Sequence, residues 1–189
     1  MNQVEVNIRD HQHSVAGIVD LATSTFVDMG TGAGNATLVG VASVNTTAVG
    51  NVGAGDDDLM TYSLPANSLS VNGKGLRVLA WGTTANNANA KILSFKFGAV
   101  TVFQRTLTAS QLGYWHAEIL IFRSGANAQK LFWILSESAF NTIAANKQAE
   151  EVDAGTSETD TSAITVKFTG QGTANNDITQ EVMLVEFLN

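Results

Sequence analysis

Short apolar runs recur along the chain from residue 37 onward, separated by segments rich in glycine and asparagine. The clearest run is Lys91–Phe97, in which Leu93, Phe95 and Phe97 alternate with polar residues. A period of two is typical of a strand with one buried face, because successive strand side chains point to opposite sides of a sheet. The pattern therefore predicts a strand here, with these three side chains in the core.

Similar runs predict a series of further strands. Pro65 is the only proline and ends one of them, since proline cannot donate to a strand ladder. Asn72-Gly73 is a tight-turn signal. The other predicted strands are Thr37–Val44, Leu59–Leu64, Ser68–Val71, Leu76–Trp81, Ala99–Arg105, Tyr114–Arg123, Lys130–Glu137, Ile164–Phe168 and Glu181–Leu188.

Aromatic residues within these runs are predicted to belong to the core. Tyr114–Arg123 places Trp115, Ala117, Ile119 and Ile121 on one face, and its C-terminal half is apolar on both faces. Trp81, Trp115 and Trp133 all have apolar neighbours, which favours core positions over sugar-stacking platforms.

Helical signals are sparse. Ser136–Glu150 is compatible with a short helix capped by Ser136, and equally with a strand and a turn. Segments 46–58, 150–162 and 170–177 are predicted loops. Many short strands with glycine and asparagine turns predict an all-β fold, a jelly-roll-like antiparallel β-sandwich, in which the strand order is left open.

The N-terminal residues differ from this pattern. Residues 1–36 lack clean periodicity and end in the Gly-rich segment MGTGAGNA, residues 29–36. We predict an N-terminal arm over 1–36 that packs on something else, followed by the sandwich domain over 37–189. The alternative is that 1–36 supplies an ordinary first strand or two of the sandwich.

Composition narrows the classes of partner. Charged residues make up 14% of the chain, and the net charge is −7 from 17 acidic and 10 scattered basic residues. Phosphate backbones and anionic membranes require clustered lysine and arginine, so neither nucleic acid nor membrane is an expected partner. The chain has no cysteine, which excludes disulfides and thiolate chemistry. A sparsely charged surface suggests either extensive interfaces or an ordinary neutral sandwich.

Candidate catalytic residues form no recognisable motif. His11 and His13 lie in the predicted arm, His116 lies on a predicted strand, and no Gly-x-Ser-x-Gly sequence accompanies them. The carboxylates Glu118 and Glu137, or Glu181 and Glu186, lie on strand-like runs where a glycosidase pair is conceivable, but solvent-side alternation explains them as well. We therefore expect no catalytic site, no cofactor and no enzyme activity.

Metal and phosphate sites are also weakly indicated. Asp56-Asp57-Asp58 in a predicted Gly-rich loop offers oxygen ligands for calcium, although the EF-hand spacing is absent and a solvated loop is favoured. His11-x-His13 alone supplies only two ligands. Gly30-Thr31-Gly32-Ala33-Gly34 lacks the lysine of a P-loop. No metal-binding residue is predicted.

Two segments carry a family resemblance. Residues 59–69, LMTYSLPANSL, and residues 75–91, GLRVLAWGTTANNANAK, resemble a recurrent segment of the jelly-roll-like domains of tailed-phage structural proteins. Such domains occur in capsid cement (decoration) proteins, head fibres and tail-fibre or tail-tip modules. The resemblance is strongest over 58–105 and does not cover residues 1–36.

The resemblance implies a structural role with no catalytic residues to carry over. It implies a phage virion protein, for which we favour a capsid cement protein: a homotrimer on the outer capsid surface that bridges major capsid protein subunits. The alternative is a receptor-binding module of a tail fibre, tail tip or head fibre, which would contact the host through loops such as Thr83–Ala90 or Gly170–Asp177. A self-contained chain without repetitive shaft sequence favours the cement role.

Overall fold

The computed structural model describes residues 17–20, 25–28, 40–110, 112–139, 145–152 and 157–188, and these residues form strands and loops without a helix. No described helix is therefore long and apolar enough to cross a membrane. The strands are β1 (Gly17–Asp20), β2 (Thr25–Asp28), β3 (Gly40–Asn45), β4 (Val49–Gly50), β5 (Asp56–Leu64), β6 (Gly75–Thr84), β7 (Lys91–Phe97), β8 (Val100–Leu107), β9 (Gly113–Gly125), β10 (Ala128–Ala139), β11 (Ala145–Val152), β12 (Ile164–Gln171) and β13 (Ile178–Leu188).

The chain divides into two compact units. One comprises Met1–Gly40 with Asn189, and the other Val41–Leu188. In the first unit, β1 and β2 form an antiparallel hairpin with Gly17 opposite Asp28. The rest of the predicted arm, including the Gly-rich segment 29–36, His11 and His13, lies outside the described residues. The division into an arm and a sandwich domain at residue 36 stays a prediction.

The second unit is a sandwich of two antiparallel sheets. The larger sheet has seven strands in the order β11-β10-β9-β6-β13-β3, with β4 also paired to β13. The smaller sheet has the order β5-β12-β7-β8. The predicted all-β, jelly-roll-like antiparallel β-sandwich is therefore confirmed.

The strand order is that of one long antiparallel hairpin whose paired strands alternate between the two sheets. Leaving aside the short β4 and the added strands β10 and β11, β3 pairs with β13, β5 with β12, β6 with β9, and β7 with β8. The first strand thus pairs with the last, and the pairing moves inward to the central hairpin. This is the connectivity of a jelly roll, and it places sequentially distant loops together at each end of the sandwich.

The core lies between the two sheets and is rich in aromatic rings. Phe95 of the smaller sheet lies 5.0 Å from Phe168 and 6.2 Å from Phe103, measured between ring centroids. Trp115 and Trp133 of the larger sheet meet the same cluster, at 5.8 Å from Phe168 and 4.9 Å from Phe103 respectively. The predicted core positions Leu93, Phe95, Phe97, Trp115, Ala117, Ile119, Ile121 and Trp133 are all buried.

Three predictions about local structure need correction or completion. Asp56-Asp57-Asp58 begins strand β5 and is not part of a loop. Ser68–Val71 lies in turns between β5 and β6 and forms no strand. In the segment Ser136–Glu150, the described residues extend β10 and begin β11, with Ser138 opposite Ala145, so the alternative of strands is the correct one there.

Candidate interaction surfaces

The outward side of the larger sheet is unusually apolar for a surface. Alternation fixes its members: Leu76, Val78 and Ala80 of β6 point into the core with 0% exposure, so their neighbours point outward. The register then aligns outward positions of β13, β6, β9 and β10 in rows. We call this surface the outer face, and its apolar members are Leu79, Trp81, Tyr114, Leu120, Phe122, Phe132, Ile134, Val182, Leu184 and Leu188.

Several of these side chains are open to solvent. Tyr114 is 46% exposed, Trp81 and Ile134 are each 40% exposed, and Phe132 is 36% exposed. The prediction that Trp81 belongs to the core is therefore wrong. Its indole stacks on His116 of β9, with 4.9 Å between ring centroids and 26° between planes. Contiguous apolar surface of this kind is typical of an interaction site, because isolated domains normally cover such surface.

A charged triad lies within the outer face. Arg77 donates from Nε to Glu118 Oε1 at 2.9 Å and from Nη1 to Glu186 Oε2 at 3.3 Å. The hydrogen bond to Glu118 is the main cause that raises the pKa of Arg77, and it outweighs the lowering by burial, with further help from Glu186. Arg77 therefore pairs with both carboxylates, and the triad keeps a net charge of −1.

The candidate glycosidase carboxylates are not arranged as catalytic pairs. Glu118 points to the outer face, whereas Glu137 accepts a hydrogen bond from the backbone N–H of Thr108, at the end of β8 in the other sheet, at 2.8 Å. Glu186 is paired with Arg77, and Glu181 accepts a hydrogen bond from Thr83 Oγ1 at 3.5 Å. Each of these carboxylates therefore has a structural partner.

The aspartate triplet also makes structural contacts. Asp56 accepts a hydrogen bond from Lys96 Nζ and Asp58 one from Lys167 Nζ, each at 2.7 Å, while Asp57 accepts one from the backbone N–H of Val52 at 2.8 Å. Burial would raise the pKa of Asp56, but the interactions led by Lys96 lower it overall. The described residues contain no group of three or more His, Asp or Glu side chains placed to hold a metal ion.

The second notable surface is one end of the sandwich, where three loops meet. They connect β4 to β5, β6 to β7, and β12 to β13. The last two are the loops that the receptor-binding alternative singles out, and the structure brings them together. Asp177 accepts hydrogen bonds from Asn87 Nδ2 at 2.6 Å and from Asn89 Nδ2 at 2.9 Å. These bonds link the β12–β13 loop to the β6–β7 loop.

Asp177 is fully buried and is surrounded by donors. Besides the two asparagine amides, the backbone N–H groups of Thr173 and Ala174 donate to its Oδ2 at 2.7 and 2.8 Å. Burial alone would raise the pKa of Asp177, but the hydrogen bonds from Ala174, Asn87, Thr173 and Asn89 outweigh that effect and hold it well below its ordinary value. Asp177 is therefore ionised in the folded protein at neutral pH.

A buried lysine is linked to this carboxylate. Lys91, at 0% exposure, donates from Nζ to Asn87 Oδ1 at 2.8 Å and to the backbone carbonyls of Asn87 and Asn89 at 3.1 and 3.0 Å. Asn87 thus accepts from Lys91 with its oxygen and donates to Asp177 with its nitrogen. We call Lys91, Asn87, Asn89 and Asp177 the polar network.

Asn51 joins the third loop to the same end. Its Nδ2 donates to the carbonyls of Gly53 and Ala174 at 3.0 and 2.9 Å, and its Oδ1 accepts the N–H of Ile178 at 2.9 Å. Gly172 lies against Asn51 and Asp177, where a Cβ atom would come within 2.6 Å of the Asp177 Cβ. The loop end is therefore a closely fitted structure, with exposed tips carried on a rigid base.

Sequence reasoning missed the outer face, and it singled out two loops of the loop end without the polar network that joins them. For the outer face the signal was available, since Trp81 shares the alternation of Arg77 and Leu79 and so must lie on the same side as a charged residue. The link from Asn87 to Asp177 has no short-range signal, because these two residues lie 90 positions apart.

Comparisons with known proteins found similar solved structures at low sequence identity. No family model matches the chain, and no curated protein matches it. Among solved structures, it is similar to the CBM2 module of the evolved Dit of Lactobacillus casei BL23 phage J-1, with 14% identity, 67% of each chain covered and a TM-score of 0.39.

Two virus particle structures also match. The infectious bursal disease virus Gx strain matches at 12% identity over 92% of this chain and 50% of that chain, with a TM-score of 0.22. T=1 particles derived from infectious bursal virus match at 10% identity over 86% and 45%, with a TM-score of 0.19. All three TM-scores lie below 0.5, so functional inference rests on the residues of this chain.

Proposed function

We propose that this chain is a phage virion structural protein and acts as a capsid cement protein. In this role, homotrimers sit on the outer surface of the capsid and bridge neighbouring major capsid protein subunits. The observation that carries the proposal is the outer face, a broad apolar surface whose few charges nearly balance. Such a surface serves contact with other proteins and supplies no chemistry.

The segments that resemble tailed-phage structural proteins support the same role. Residues 59–69 and 75–91 include β6, which lies near the centre of the larger sheet and contributes Leu79 and Trp81 to the outer face. The resemblance thus covers part of the outer face, which supports the proposal. Stabilisation by such a protein would come from buried area, with a standard interface burying about 1,600 Å² in total.

Capsid binding tests the proposal. The purified protein is mixed with expanded capsids that lack it, and bound protein is measured by co-sedimentation. We expect saturable binding and a capsid that resists heating better than the bare particle, with capsids already saturated by the protein as the control. No binding to expanded capsids would rule out the cement role.

The second candidate is a receptor-binding module, and the loop end favours it. The polar network holds the loops 85–90 and 172–177 together, and their tips include the exposed Asn86, Asn175 and Asn176. A rigid base with polar tips suits recognition, because little conformational entropy is lost on binding. Binding of the isolated protein to host cells, with none to capsids, would favour this candidate.

A further inference from the structure

We infer that the outer face of the larger sheet is the surface through which copies of this chain contact one another. The inference deepens the proposed function, which supplies the expectation of a trimer. The choice of surface rests on the residues of the face itself. The occupant is a second copy of this chain, for reasons of size and charge.

The size of the outer face suits a self-association interface. Strands lie about 4.8 Å apart and side chains on one side of a strand repeat every 6.8 Å or so, which gives each outward residue roughly 33 Å². Four strands and five rows of the described register therefore cover about 650 Å². A standard pairwise interface buries about 800 Å² on each partner, so the whole face approaches that area for each copy, divided in a trimer between two neighbours at about 325 Å² for each contact.

The low net charge of the outer face makes it a more favourable place for contact between two copies than most of the remaining surface. Two copies that each carry a net charge of −7 repel one another over most of their surface. The described charges on the outer face are Arg77 and Lys130 against Glu118, Glu181 and Glu186, a balance of only −1. Identical copies can therefore approach here with little electrostatic cost, and no complementary charge on a different partner is needed.

The geometry allows the same face to be used by every copy. Around a three-fold axis, three outer faces can turn inward, so that one half of each face meets the other half of the next. The triad of Arg77, Glu118 and Glu186 would then lie within the contact.

Light scattering coupled to size-exclusion chromatography tests the inference on the full chain. We expect a mass three times the monomer mass of 19.9 kDa. Ile134→Lys places a charge in the outer face and should weaken self-association at least tenfold. Phe132→Thr removes apolar area while keeping strand propensity, and should weaken it by a smaller factor. Thr106→Lys, at an exposed position of β8 in the other sheet, is the matched control and should associate like the unaltered protein.

Salt provides an independent readout. Because the contact is apolar and the copies repel, raising ionic strength from about 0.05 to about 0.5 M should leave the trimer intact or strengthen it. Circular dichroism and thermal melting establish that each variant is folded before its mass is interpreted.

Three results would overturn the inference. In the first, the unaltered protein has the mass of one copy at all concentrations. In the second, the Ile134→Lys and Phe132→Thr variants are folded and associate as fully as the unaltered protein. In the third, the unaltered protein is a monomer that binds capsids, and Ile134→Lys abolishes that binding. The last result would show that the face contacts the capsid instead. Failure of a trimeric protein to bind capsids would remove the cement role and leave the self-association surface standing.

Discussion

Replacing Asp177 with asparagine tests how the loop end is held together. The change is isosteric, so it removes a charge and one acceptor without creating a cavity. If the remaining oxygen serves the N–H groups of Thr173 and Ala174, the new amide nitrogen faces the Nδ2 donor of Asn87, which lies 2.6 Å from the carboxylate in the native protein. Two donors then oppose each other inside the protein.

Rotating the Asn87 amide does not relieve this conflict. Its oxygen accepts from the buried Lys91 ammonium at 2.8 Å and from the N–H of Asn89 at 3.1 Å, and both bonds would be lost. A hydrogen bond to a charged group is worth about 1.5–3 kcal/mol, and an unsatisfied buried donor costs about 1–3 kcal/mol. Asp177→Asn should therefore lower the free energy of unfolding by about 3–5 kcal/mol.

Urea unfolding followed by circular dichroism measures the effect, with Asp58→Asn as the matched control. Asp58 is 53% exposed and its pair with Lys167 is solvated, so its replacement should cost at most about 1 kcal/mol. A loss below about 1 kcal/mol for Asp177→Asn would refute the role given to the polar network.

The same carboxylate predicts a dependence on pH. Its folded pKa is lower than its unfolded value, which is close to 3.8, so the unfolded state binds more protons as acid is added. The stabilisation by Asp177 is then fully present above that value and is lost progressively as pH falls below it. Acid titration of unfolding should show a shallower loss of stability below about pH 4 for Asp177→Asn than for the unaltered protein. Equal slopes would contradict the assignment.

The remaining predictions concern the core, a close backbone contact and the N-terminal residues. Phe95→Ala should cost about 3–5 kcal/mol in urea unfolding because its ring is fully buried, whereas Trp81→Ala should cost only about 1–2 kcal/mol in monomeric protein; equal losses would contradict the assignment of faces. Gly82→Ala should destabilise by at least about 2 kcal/mol, because a Cβ atom would lie 2.1 Å from the Thr179 carbonyl oxygen, and an unchanged melting temperature would contradict this. Deleting residues 1–15 should leave the melting of the sandwich unchanged and weaken capsid attachment, so an unfolded product would show that these residues belong to the domain.

The parts of the fold that follow a local rule were predictable from sequence. The alternation of Leu93, Phe95 and Phe97 with Ser94 and Lys96 predicted β7 and the side that carries these three core residues, whereas the burial of Lys91 was not predicted. In the run from Leu76 to Trp81, both sides of the strand are apolar except at Arg77, so hydrophobicity alone did not distinguish the core side from the outer face. The charge of Arg77 was the only indication of which side is open to solvent.

Other features depend on contacts between distant parts of the chain. Asp56 and Asp58 lie in a strand despite low strand propensity, because they pair with β12, and their carboxylates contact Lys96 of β7 and Lys167 of β12. The buried state of Asp177 depends on amides from a loop that sequence shows only as a polar connection. Strand order is likewise set by pairings, such as β3 with β13, that no local pattern encodes.

The long antiparallel hairpin also determines when this domain can fold. Strand β13, residues 178–188, lies in the larger sheet between β6 and β3. The strands β6 and β3 therefore cannot be joined into one sheet until β13 emerges from the ribosome. Until then, the inward side chains of β6 and β9 have an incomplete sheet around them, and the strand edge that awaits β13 is open to other chains. Folding should therefore be slow for a chain of this size, because its pairings join distant residues. A nascent chain is most prone to mispairing with other chains in that interval.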